Sequence, residues 1–516
     1  MREFISRNGG NIVGKEKMMG LLLVGVVTAV VTGCGIQTEK GLDEIQTGNQ
    51  VTGVSVHDPS IVKAGEKYYV FGTHMSAAES EDLIHWKQFA DGVKDSNPLF
   101  DDLLHEGEGA FSYVGKYQDG NFAVWAPDVM YNDKMGKWIM YFSVTHDYIT
   151  STICMATADQ VEGPYTYQAQ LVSSGFTVFT VDKTNFHEVC GEDTKVTRYM
   201  GAGHYNNLKY PNCIDPCVFY GDDGKLYMVY GSWSGGIYLL ELDENTGLPI
   251  HPETNEETNT DKYFGQYLLG GLHNSCEGPY ILYDAGSDYY YLFVSYGGLT
   301  REGGYQIRLF RSREVTGPYL DTEGNTLGYV TDHSGYGLKI MGNYDFPSLK
   351  TAYMAPGHNS AFRDDDGKYY VVYHQRLDSG SEYHEVRVHQ MFLNEEGWFV
   401  TAPFATQGES LREEGYRTLK RFQGTYYVVN HGTDISSDIH EAEAWTISGK
   451  GEVNDSQGEA GKLELTEGTC FVTLTLGENI YKGVVVEMND EAGNVVECLS
   501  FAGNNNESIW AVRYLP

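Results

Sequence analysis

The stretch from Asn212 to Tyr230 reads NCIDPCVFYGDDGKLYMVY, and it decides the fold. An aspartate before a proline, Asp215, opens a short apolar run. An Asp-Asp-Gly-Lys turn follows, and a second run of aromatic and β-branched residues ends the unit. Two such runs around a glycine-containing turn predict a β-hairpin. The carboxylate of Asp215 is therefore expected at the mouth of the first strand of this hairpin.

The same plan recurs four more times, at intervals of roughly 60 to 90 residues, which is typical of a repeat architecture. The other copies open with His57-Asp58-Pro59-Ser60, Trp125-Ala126-Pro127-Asp128, Glu277-Gly278-Pro279-Tyr280 and Gly357-His358-Asn359-Ser360. A single hairpin cannot bury its own apolar face, but five sheets arranged radially can. We therefore predict an all-β chain with a five-bladed β-propeller over residues 51–405. The first strands of the blades would converge on one axis, and with them Asp58, Asp128, Asp215, Glu277 and His358.

The pattern changes near residue 406. From there to residue 516 the chain has several alternating apolar and polar runs, such as Phe471-Val472-Thr473-Leu474-Thr475, but no further hairpin of the repeated kind. Alternation at period two is typical of half-buried strands. We predict a separate small β-domain over 406–516, either a sandwich or a barrel.

Charge and cysteine content narrow the functional classes. The chain has 36 basic and 71 acidic residues, a formal net charge of −35, which argues against nucleic acid as a partner. Its 8 cysteines show neither a disulfide framework nor zinc-ligand spacing. A neutral partner is more natural for such a chain, and we expect a monomer.

The N-terminal segment looks like an export signal. An apolar run, Met18 to Val31, precedes Thr32-Gly33-Cys34, and its length suits a signal peptide better than a membrane span. The run ending in Cys34 resembles a bacterial lipobox. That resemblance implies a signal peptide over 1–34, a lipid on Cys34, a flexible tether over 35–50, and a location on the extracellular face with membrane contact through the lipid alone. The alternative is an ordinary signal peptide with a chance cysteine.

Three carboxylates around one axis suggest a chemistry. Hydrolysis of a glycosidic bond needs a proton donor for the leaving oxygen and a carboxylate partner across the sugar. A third carboxylate can raise the pKa of the donor through like-charge repulsion. Any single acid could be a turn cap. The recurrence of Asp58, Asp215 and Glu277 at equivalent positions of different blades favours a catalytic role.

The five openings together resemble family 43 of the glycoside hydrolases over residues 51–405, and within it secreted endo-α-1,5-L-arabinanases with a C-terminal β-domain. The resemblance implies an inverting mechanism in which Asp58 is the general base, Glu277 is the general acid and Asp215 tunes the pKa of Glu277. It also implies that His358 faces one axial cation, usually calcium. The implied substrate is arabinan or arabino-oligosaccharides.

Other residues near the axis are candidates for substrate contacts. Trp125 and Trp233 could stack on sugar rings or pack between blades. His57 could bond the substrate or support Asp58, and Asp128 is expected to face the substrate with the other axial residues. Five further histidines are expected to be surface or structural groups: His85, His105, His146, His204 and His374.

Two alternatives stay open at this stage. The same fold supports an exo-acting α-L-arabinofuranosidase or a β-xylosidase, because loop lengths decide between an open groove and a closed pocket. A non-catalytic propeller that binds glycans is a third possibility. Such a binding protein would tolerate the loss of an acid, whereas all three acids are present here.

Overall fold

Five antiparallel sheets surround a common axis in the computed structural model, which describes residues 39–516. Each sheet opens with one of the predicted hairpins. The first strand of every blade contacts the first strand of the next, and the first strand of blade five contacts that of blade one, so the ring is closed. The prediction of a five-bladed propeller is confirmed.

The first two blades are plain four-stranded sheets. The strands of blade one are Ser60–Ala64, Lys67–Gly72, Ser76–Ser80 and Trp86–Ala90. Those of blade two are Val124–Asn132, Lys137–Thr145, Ser151–Ala158 and Thr166–Ser173. In both blades the strands follow one another in chain order from the axis outwards.

Blades three and five carry extra edge strands, whereas blade four is again four-stranded. The main strands of blade three are Cys217–Tyr220, Leu226–Tyr230, Ile237–Leu242 and Gly265–Leu269, with Pro249–Ile250 and Thr260–Asp261 beside them. Blade four has Glu277–Asp284, Tyr289–Tyr296, Gln306–Ser312 and Leu338–Met341. Blade five has Tyr353–Arg363, Tyr369–Leu377, His384–Leu393 and Phe399–Thr401, with Tyr344–Asp345 at its edge.

Helices are few and short. Among the described residues the one α-helix is Phe186–Cys190, in the insertion between blades two and three. That insertion also holds a small hairpin, Met200–Gly201 with His204–Tyr205. The 3₁₀ turns are Leu42–Glu44, Thr73–Met75, Gly109–Phe111, Val181–Lys183, Val196–Tyr199 and Leu419–Phe422. No helix in the range 39–516 is long and apolar enough to cross a membrane.

Blade three shows how the sequence builds its hairpin. Cys217 pairs with Val229 and Tyr220 with Leu226, so both apolar runs lie in register. In the turn between them, Gly221 N–H donates to Lys225 O and Gly224 N–H donates to Gly221 O. Gly224 takes a φ of 74°, which suits glycine. The turn residues thus fix the register, and the register fixes where Asp215 enters the axis.

The backbone is irregular at the residues that face the axis, at the start of some innermost strands and within Tyr353–Arg363 of blade five. Asp58, Asp215 and His358 take φ values of 53°, 58° and 45°, a backbone region that non-glycine residues rarely adopt. Blade four has a register shift between Glu277 and Tyr280. Such irregularities re-aim side chains and concentrate at functional sites. Here they turn polar side chains towards the axis instead of across the sheet.

The C-terminal region is a closed eight-stranded barrel. Its strands are Gly424–Asn430, Glu443–Ile447, Glu452–Asp455, Gly458–Leu465, Phe471–Leu476, Asn479–Asn489, Val495–Gly503 and Ser508–Tyr514. The barrel, and not a sandwich, is therefore the correct form of the predicted β-domain. Its interior is filled by side chains such as Tyr426 and Leu463, and the cavity left is about 10 Å³. That volume holds about one water molecule, so the barrel interior has no space for a sugar.

The barrel is joined tightly to the propeller. His440–Glu441, in the segment that follows the first barrel strand, pairs in parallel with Tyr344–Asp345 at the edge of blade five. Val484 and Trp510 of the barrel share one apolar core with Phe399 of blade five. The predicted domain border near residue 406 is therefore crossed by both a strand pairing and a common core.

The predicted flexible tether needs a correction. Within its described part, Lys40 donates its backbone N–H to Tyr514 O at 3.2 Å, and Gln46 N–H donates to Asn494 Oδ1 at 3.0 Å. Residues 39–50 thus lie against the barrel and against blade five with the segment before it, because both offer hydrogen-bond partners, such as Asn494 and Thr351. The predicted signal peptide over 1–34 and the lipid site Cys34 lie outside the described residues.

Candidate active site

One cavity of about 780 Å³ opens where the innermost strands of the blades begin. This is the size range of small-molecule and sugar sites. Seven of the eight side chains predicted from the sequence line it: His57, Asp58, Trp125, Asp215, Trp233, Glu277 and His358. The eighth, Asp128, does not.

The carboxylate of Asp58 is held at both oxygens. Thr73 Oγ1 donates to Asp58 Oδ2 at 2.5 Å. His57 Nδ1 lies 2.7 Å from Asp58 Oδ1, and His358 Nδ1 lies 3.1 Å from the same oxygen. The backbone N–H of Asp58 donates to His374 Nδ1 at 3.3 Å. These contacts leave the carboxylate little freedom to rotate.

The environment keeps Asp58 ionised. Burial alone would raise the pKa of this carboxyl, because a buried charge is poorly solvated. The nearby imidazoles, foremost that of His358 and then that of His57, outweigh burial and hold the pKa of Asp58 well below its usual range. Asp58 is therefore suited to accept a proton from water and not to donate one.

The pKa of Asp215 is shifted in the opposite direction to that of Asp58. Burial raises the pKa of Asp215 well above its usual value, and repulsion from Glu277 and Asp58 adds to the rise. The backbone N–H of Gly278 donates to Asp215 Oδ2 at 3.2 Å and partly offsets it. Asp215 and Glu277 are thus coupled carboxylates in one site, whose proton affinities depend on each other.

Glu277 is positioned by three donors. Ser232 Oγ and Trp233 Nε1 both donate to Glu277 Oε2 at 2.9 Å, and the hydroxyl of Tyr305 also hydrogen-bonds the carboxylate. Burial raises the pKa of Glu277, although His358 and the hydrogen bonds of Tyr305 and Ser232 oppose the rise. A raised pKa lets a glutamate keep its proton to higher pH, so that it can donate the proton to a leaving group.

His358 lies beside Asp58 and interacts electrostatically with Glu277. Its backbone N–H donates to Ser295 Oγ at 2.7 Å, which fixes the main chain. A Cβ on Gly278 would lie 2.9 Å from the His358 ring, and Gly278 has a φ of 57°. Glycine after Glu277 is therefore required both by the backbone conformation and by the space that His358 occupies.

Asp128 is a structural brace and not a cavity residue. Ser60 donates to one of its oxygens, and the backbone N–H of Val218 donates to the other at 2.6 Å, so this carboxylate joins blades one, two and three. The physical reason lies in the motif: Asp58 and Asp215 precede a proline, whereas Asp128 follows Pro127. A shift of two residues keeps the side chain on the same face but about 7 Å further along the strand.

The two tryptophans have different surroundings. Trp125 lines the cavity and lies 5.7 Å from the ring of Tyr117. Trp233 has a φ of 49°, and its indole N–H is used to hold Glu277. Its ring also packs at 5.4 Å from His273. Trp233 thus acts on the acid directly, a role that its spacing in the sequence did not indicate.

Sequence reasoning missed four neighbours of the acids. His374, expected to be a structural or surface group, is fully buried and stacks on His57 with ring centres 3.9 Å apart. Arg376, Ser232 and Tyr305 were not selected at all. His374 and Arg376 are two positions apart on one strand and therefore share a face, so period-two reading of Tyr373-His374-Gln375-Arg376 could have found them.

Few side chains around the axis are placed to act as ligands of one metal ion. Within residues 39–516, the one group of three potential ligands close enough to share an ion is His57, Asp58 and His374. In this group His57 and Asp58 face each other, and His374 Nδ1 accepts the N–H of Asp58. Calcium prefers six to eight oxygen ligands, and His358 offers one nitrogen. The protein alone does not supply a calcium cage at His358, so water would have to provide most of the shell.

The arrangement supports one kind of chemistry. An ionised carboxylate and a protonation-competent carboxylate face one cavity, and a third carboxylate is coupled to the second. That is the set needed to activate water on one side of a bond and to protonate a leaving oxygen on the other.

Comparison with known proteins agrees with this geometry. The model of the glycosyl hydrolases family 43 matches residues 47–193 and 194–399, and a C-terminal lipocalin-like domain matches residues 403–511. An extracellular endo-α-(1→5)-L-arabinanase of Thermotoga petrophila is 38% identical over 475 residues, covering 89% of this chain and 93% of that protein. A second such arabinanase, from Bacillus subtilis, is 36% identical over 482 residues, with the same shares of 89% and 93%.

A solved structure agrees as well. The crystal structure of the endo-1,5-α-L-arabinanase from Thermotoga petrophila superposes with a TM-score of 0.76 at 37% identity. The match covers 91% of this chain and 99% of that one. The similarity therefore includes the barrel as well as the propeller.

Proposed function

Because this chain belongs to family 43 of the glycosyl hydrolases, we propose that it cleaves internal α-1,5-L-arabinofuranosidic bonds of arabinan with inversion. The observation that carries the proposal is the similarity to two extracellular endo-arabinanases along nearly the whole chain, barrel included. The cavity and its three carboxylates supply the chemistry that such a reaction requires.

Asp58 would be the general base. It removes a proton from a water molecule, whose oxygen then attacks the anomeric carbon. The bonds from Thr73 and the imidazoles around Asp58 support this role, because they favour the ionised form and orient it. The same contacts would stabilise the substrate-free site, in which the base must stay unprotonated.

Glu277 would be the general acid. It gives its proton to the oxygen of the departing sugar as the glycosidic bond breaks. Burial supports this role by raising the pKa of Glu277. Asp215 interacts electrostatically with Glu277, and when Asp215 is ionised its charge would make loss of the proton from Glu277 harder. Trp233 and Ser232 would orient the proton towards the bond.

Substrate and cation contacts are further parts of the proposal. Trp125, on the cavity wall, would stack on a sugar ring, as aromatic side chains commonly do in such sites. His358 would hold one hydrated calcium ion, which would add positive charge near the carboxylates. Neither role is needed for the proton transfers assigned to Asp58 and Glu277.

We also propose that the protein acts outside the cell, because the relatives named above are extracellular enzymes. A lipid on Cys34 would then hold it at the cell surface. The substrate would be plant cell-wall arabinan or its oligosaccharides. We propose that the protein acts as a monomer.

Product analysis tests the proposed function. Linear arabinan, branched arabinan and xylan are incubated with the enzyme, and early products are separated by size. We expect a ladder of arabino-oligosaccharides from linear arabinan, and the NMR spectrum of the first product should show the inverted anomer. Arabinose alone at early times would indicate an exo-acting enzyme, and release of xylose would indicate a β-xylosidase. An Asp58→Asn variant is the matched inactive control.

A further inference from the structure

Arg376 lies behind the predicted base and has no role in the proposed reaction so far. It belongs to the strand Tyr369–Leu377 of blade five and is 3% exposed, although part of it reaches the cavity wall. Its Nε lies 2.9 Å from Glu382 Oε2. Burying a charged guanidinium costs free energy unless the group is paired and hydrogen-bonded. The other contacts of Arg376 therefore show what stabilises it.

Arg376 also contacts His57, the neighbour of Asp58. Arg376 Nη2 lies 3.5 Å from His57 Nε2. A guanidinium has only donors, so a hydrogen bond between these atoms requires Nε2 to be the acceptor. A neutral imidazole that accepts at Nε2 carries its hydrogen on Nδ1. With Arg376 as the donor, a neutral His57 would therefore be the Nδ1–H tautomer.

The other ring nitrogen completes the chain of contacts. His57 Nδ1 is buried, has no well-aligned hydrogen-bond partner among the described residues, and lies 2.7 Å from Asp58 Oδ1. The contact is bent, since the two side chains come from neighbouring residues. With the hydrogen on Nδ1, it is an attraction to the carboxylate. With the hydrogen on Nε2, a lone pair would face the carboxylate and a hydrogen would face the guanidinium.

The packing of the His57 ring does not distinguish its Nδ1–H tautomer from its Nε2–H tautomer. His57 stacks on His374 at 3.9 Å with an angle of 24°, and the ring of His384 meets it edge-on at 4.8 Å. These contacts hold the plane of the ring, but they do not distinguish one nitrogen from the other. The choice of tautomer requires a directional donor, and Arg376 is the one that faces Nε2.

We propose that Arg376 is a positioning residue that fixes His57 in the Nδ1–H tautomer, so that His57 in turn holds Oδ1 of Asp58 for attack by water. The proposal rests on the assignment of Asp58 as the general base. Thr73 holds Oδ2, so His57 and Thr73 together would set the rotation of the carboxylate. Arg376 would act through its contact with His57.

The first test uses the unmodified protein. Histidine labelled with ¹⁵N is incorporated, and long-range ¹H–¹⁵N spectra report which ring nitrogen carries the hydrogen. The His57 signals are assigned by their absence in His57→Gln. We expect the pattern of an Nδ1–H imidazole, and an Nε2–H pattern would overturn the proposal without any variant of Arg376.

The second test uses variants. Arg376→Met removes the donor, and Arg376→Lys retains a positive donor of similar length. We expect Arg376→Met to lower kcat on arabino-oligosaccharides about ten- to a hundred-fold, the usual scale for a displaced catalytic group, with KM changed less than about threefold. The His57 spectrum of Arg376→Met should show mixed tautomers. Arg376→Lys should restore most of kcat and most of the Nδ1–H pattern.

Arg301→Met is the matched control. Arg301 also lies near Glu382, but its guanidinium pairs with Asp378 at 3.0 Å and with Glu302 at 2.6 Å instead of with His57. The Arg301→Met variant should have an unchanged kcat and an unchanged His57 spectrum. An Arg376→Met variant that is folded, as judged by near-ultraviolet circular dichroism, and has an unchanged His57 spectrum would refute the proposal. So would a loss confined to KM.

The readouts separate this inference from the proposed function. If the protein does not cleave arabinan, the proposed function fails, but the tautomer of His57 and its response to Arg376→Met can still be measured. If Asp58→Asn keeps full activity, the base assignment fails while the spectra still report what Arg376 does to His57.

Discussion

The backbone N–H of Gly278 donates to Asp215 Oδ2 at 3.2 Å, which links the residue after Glu277 to a carboxyl whose pKa is raised by burial and by repulsion from Glu277. The two acids are thereby held at a fixed spacing through one peptide bond. Because a Cβ at position 278 would meet the ring of His358, the same glycine also sets the distance to the imidazole. Gly278 thus bonds Asp215, sets the spacing between Asp215 and Glu277, and leaves room for the ring of His358.

Glu277→Gln should nearly abolish cleavage of natural arabinan while binding persists. The amide cannot donate a catalytic proton, and general acid catalysis usually contributes about a hundred- to ten-thousand-fold. An aryl arabinoside with a good leaving group needs less protonation and should be less affected. Comparing kcat/KM on both substrates checks this. Equal losses on the two would remove Glu277 from the role of donor.

Asp215→Asn should move the alkaline limb of the kcat/KM profile to lower pH. That limb would report loss of a proton shared by Glu277 and Asp215, whose carboxyls interact electrostatically. Without the second carboxyl, like-charge repulsion no longer opposes ionisation of Glu277. Ser232→Ala is the opposing control, since it removes a hydrogen bond that lowers the pKa of Glu277 and should move the limb upwards. An unmoved limb in Asp215→Asn would contradict the tuning role.

Asp128→Asn should change how stability depends on pH. Burial raises the pKa of Asp128 from 3.8 to about 6, so between these values the folded protein binds more protons than the unfolded chain. The stabilising contribution of this proton is fully present below the unfolded pKa and is lost as pH rises through 6. The free energy of unfolding of the wild type should therefore fall by up to about 3 kcal/mol relative to the variant between pH 4 and 6.

Urea unfolding at several pH values measures this difference. Loss of an acceptor oxygen in the variant gives a constant offset, so only the change of the difference with pH matters. Parallel curves for the two proteins would mean that Asp128 is not the buried acid that the geometry indicates.

Purified protein should contain about one equivalent of calcium, measured by mass spectrometry of the metals, if His358 faces a cation. His358→Gln should lose the ion and much of the activity while the propeller stays folded, because one axial side chain is not part of a blade core. His85→Gln is the control, since His85 lies on the surface. A metal-free wild type together with an active His358→Gln variant would leave His358 as a structural residue.

Glu491→Gln should destabilise the protein by about 3 to 5 kcal/mol, the usual result of breaking a buried ion pair. Glu491 of the barrel pairs with Arg387 of blade five, and their side chains are 1% and 2% exposed. Glu395→Gln is the matched control, because its pair with Lys482 is exposed and such pairs contribute roughly 0 to 1 kcal/mol. Thermal unfolding of both variants decides the comparison, and equal small effects would argue against a tight joint.

The repeated hairpins were readable from the sequence because each carries its own turn chemistry and apolar alternation. The positions of Asp58, Asp215 and Glu277 followed from the repeat, since equivalent strands of a propeller start around one axis. Asp128 was assigned to the cavity incorrectly, because its order relative to the proline was not used. A two-residue offset is enough to move a side chain from the mouth of a strand to its interior.

The surroundings of the acids were not readable in the same way. Arg376 reaches His57 across 319 positions of sequence, and no local pattern reports such a contact. The hydrogen bond from Trp233 to Glu277 likewise depends on a backbone φ of 49° at Trp233. The barrel could be predicted as β-structure from alternation, but its closure depends on pairing between Gly424–Asn430 and Ser508–Tyr514, far apart in the chain.

The pairing of His440–Glu441 with Tyr344–Asp345 has a consequence for biosynthesis. The edge of blade five at Tyr344–Asp345, beside its innermost strand, stays unpaired until residues 440–441 are synthesised. Gln46 likewise has no partner until Asn494 is synthesised, 448 residues later. At ordinary rates of translation that delay is roughly 20 to 90 s. An open strand edge is a template for aggregation. A chain truncated before residue 440 would lack the partner strand of Tyr344–Asp345, so this edge of blade five would stay unpaired.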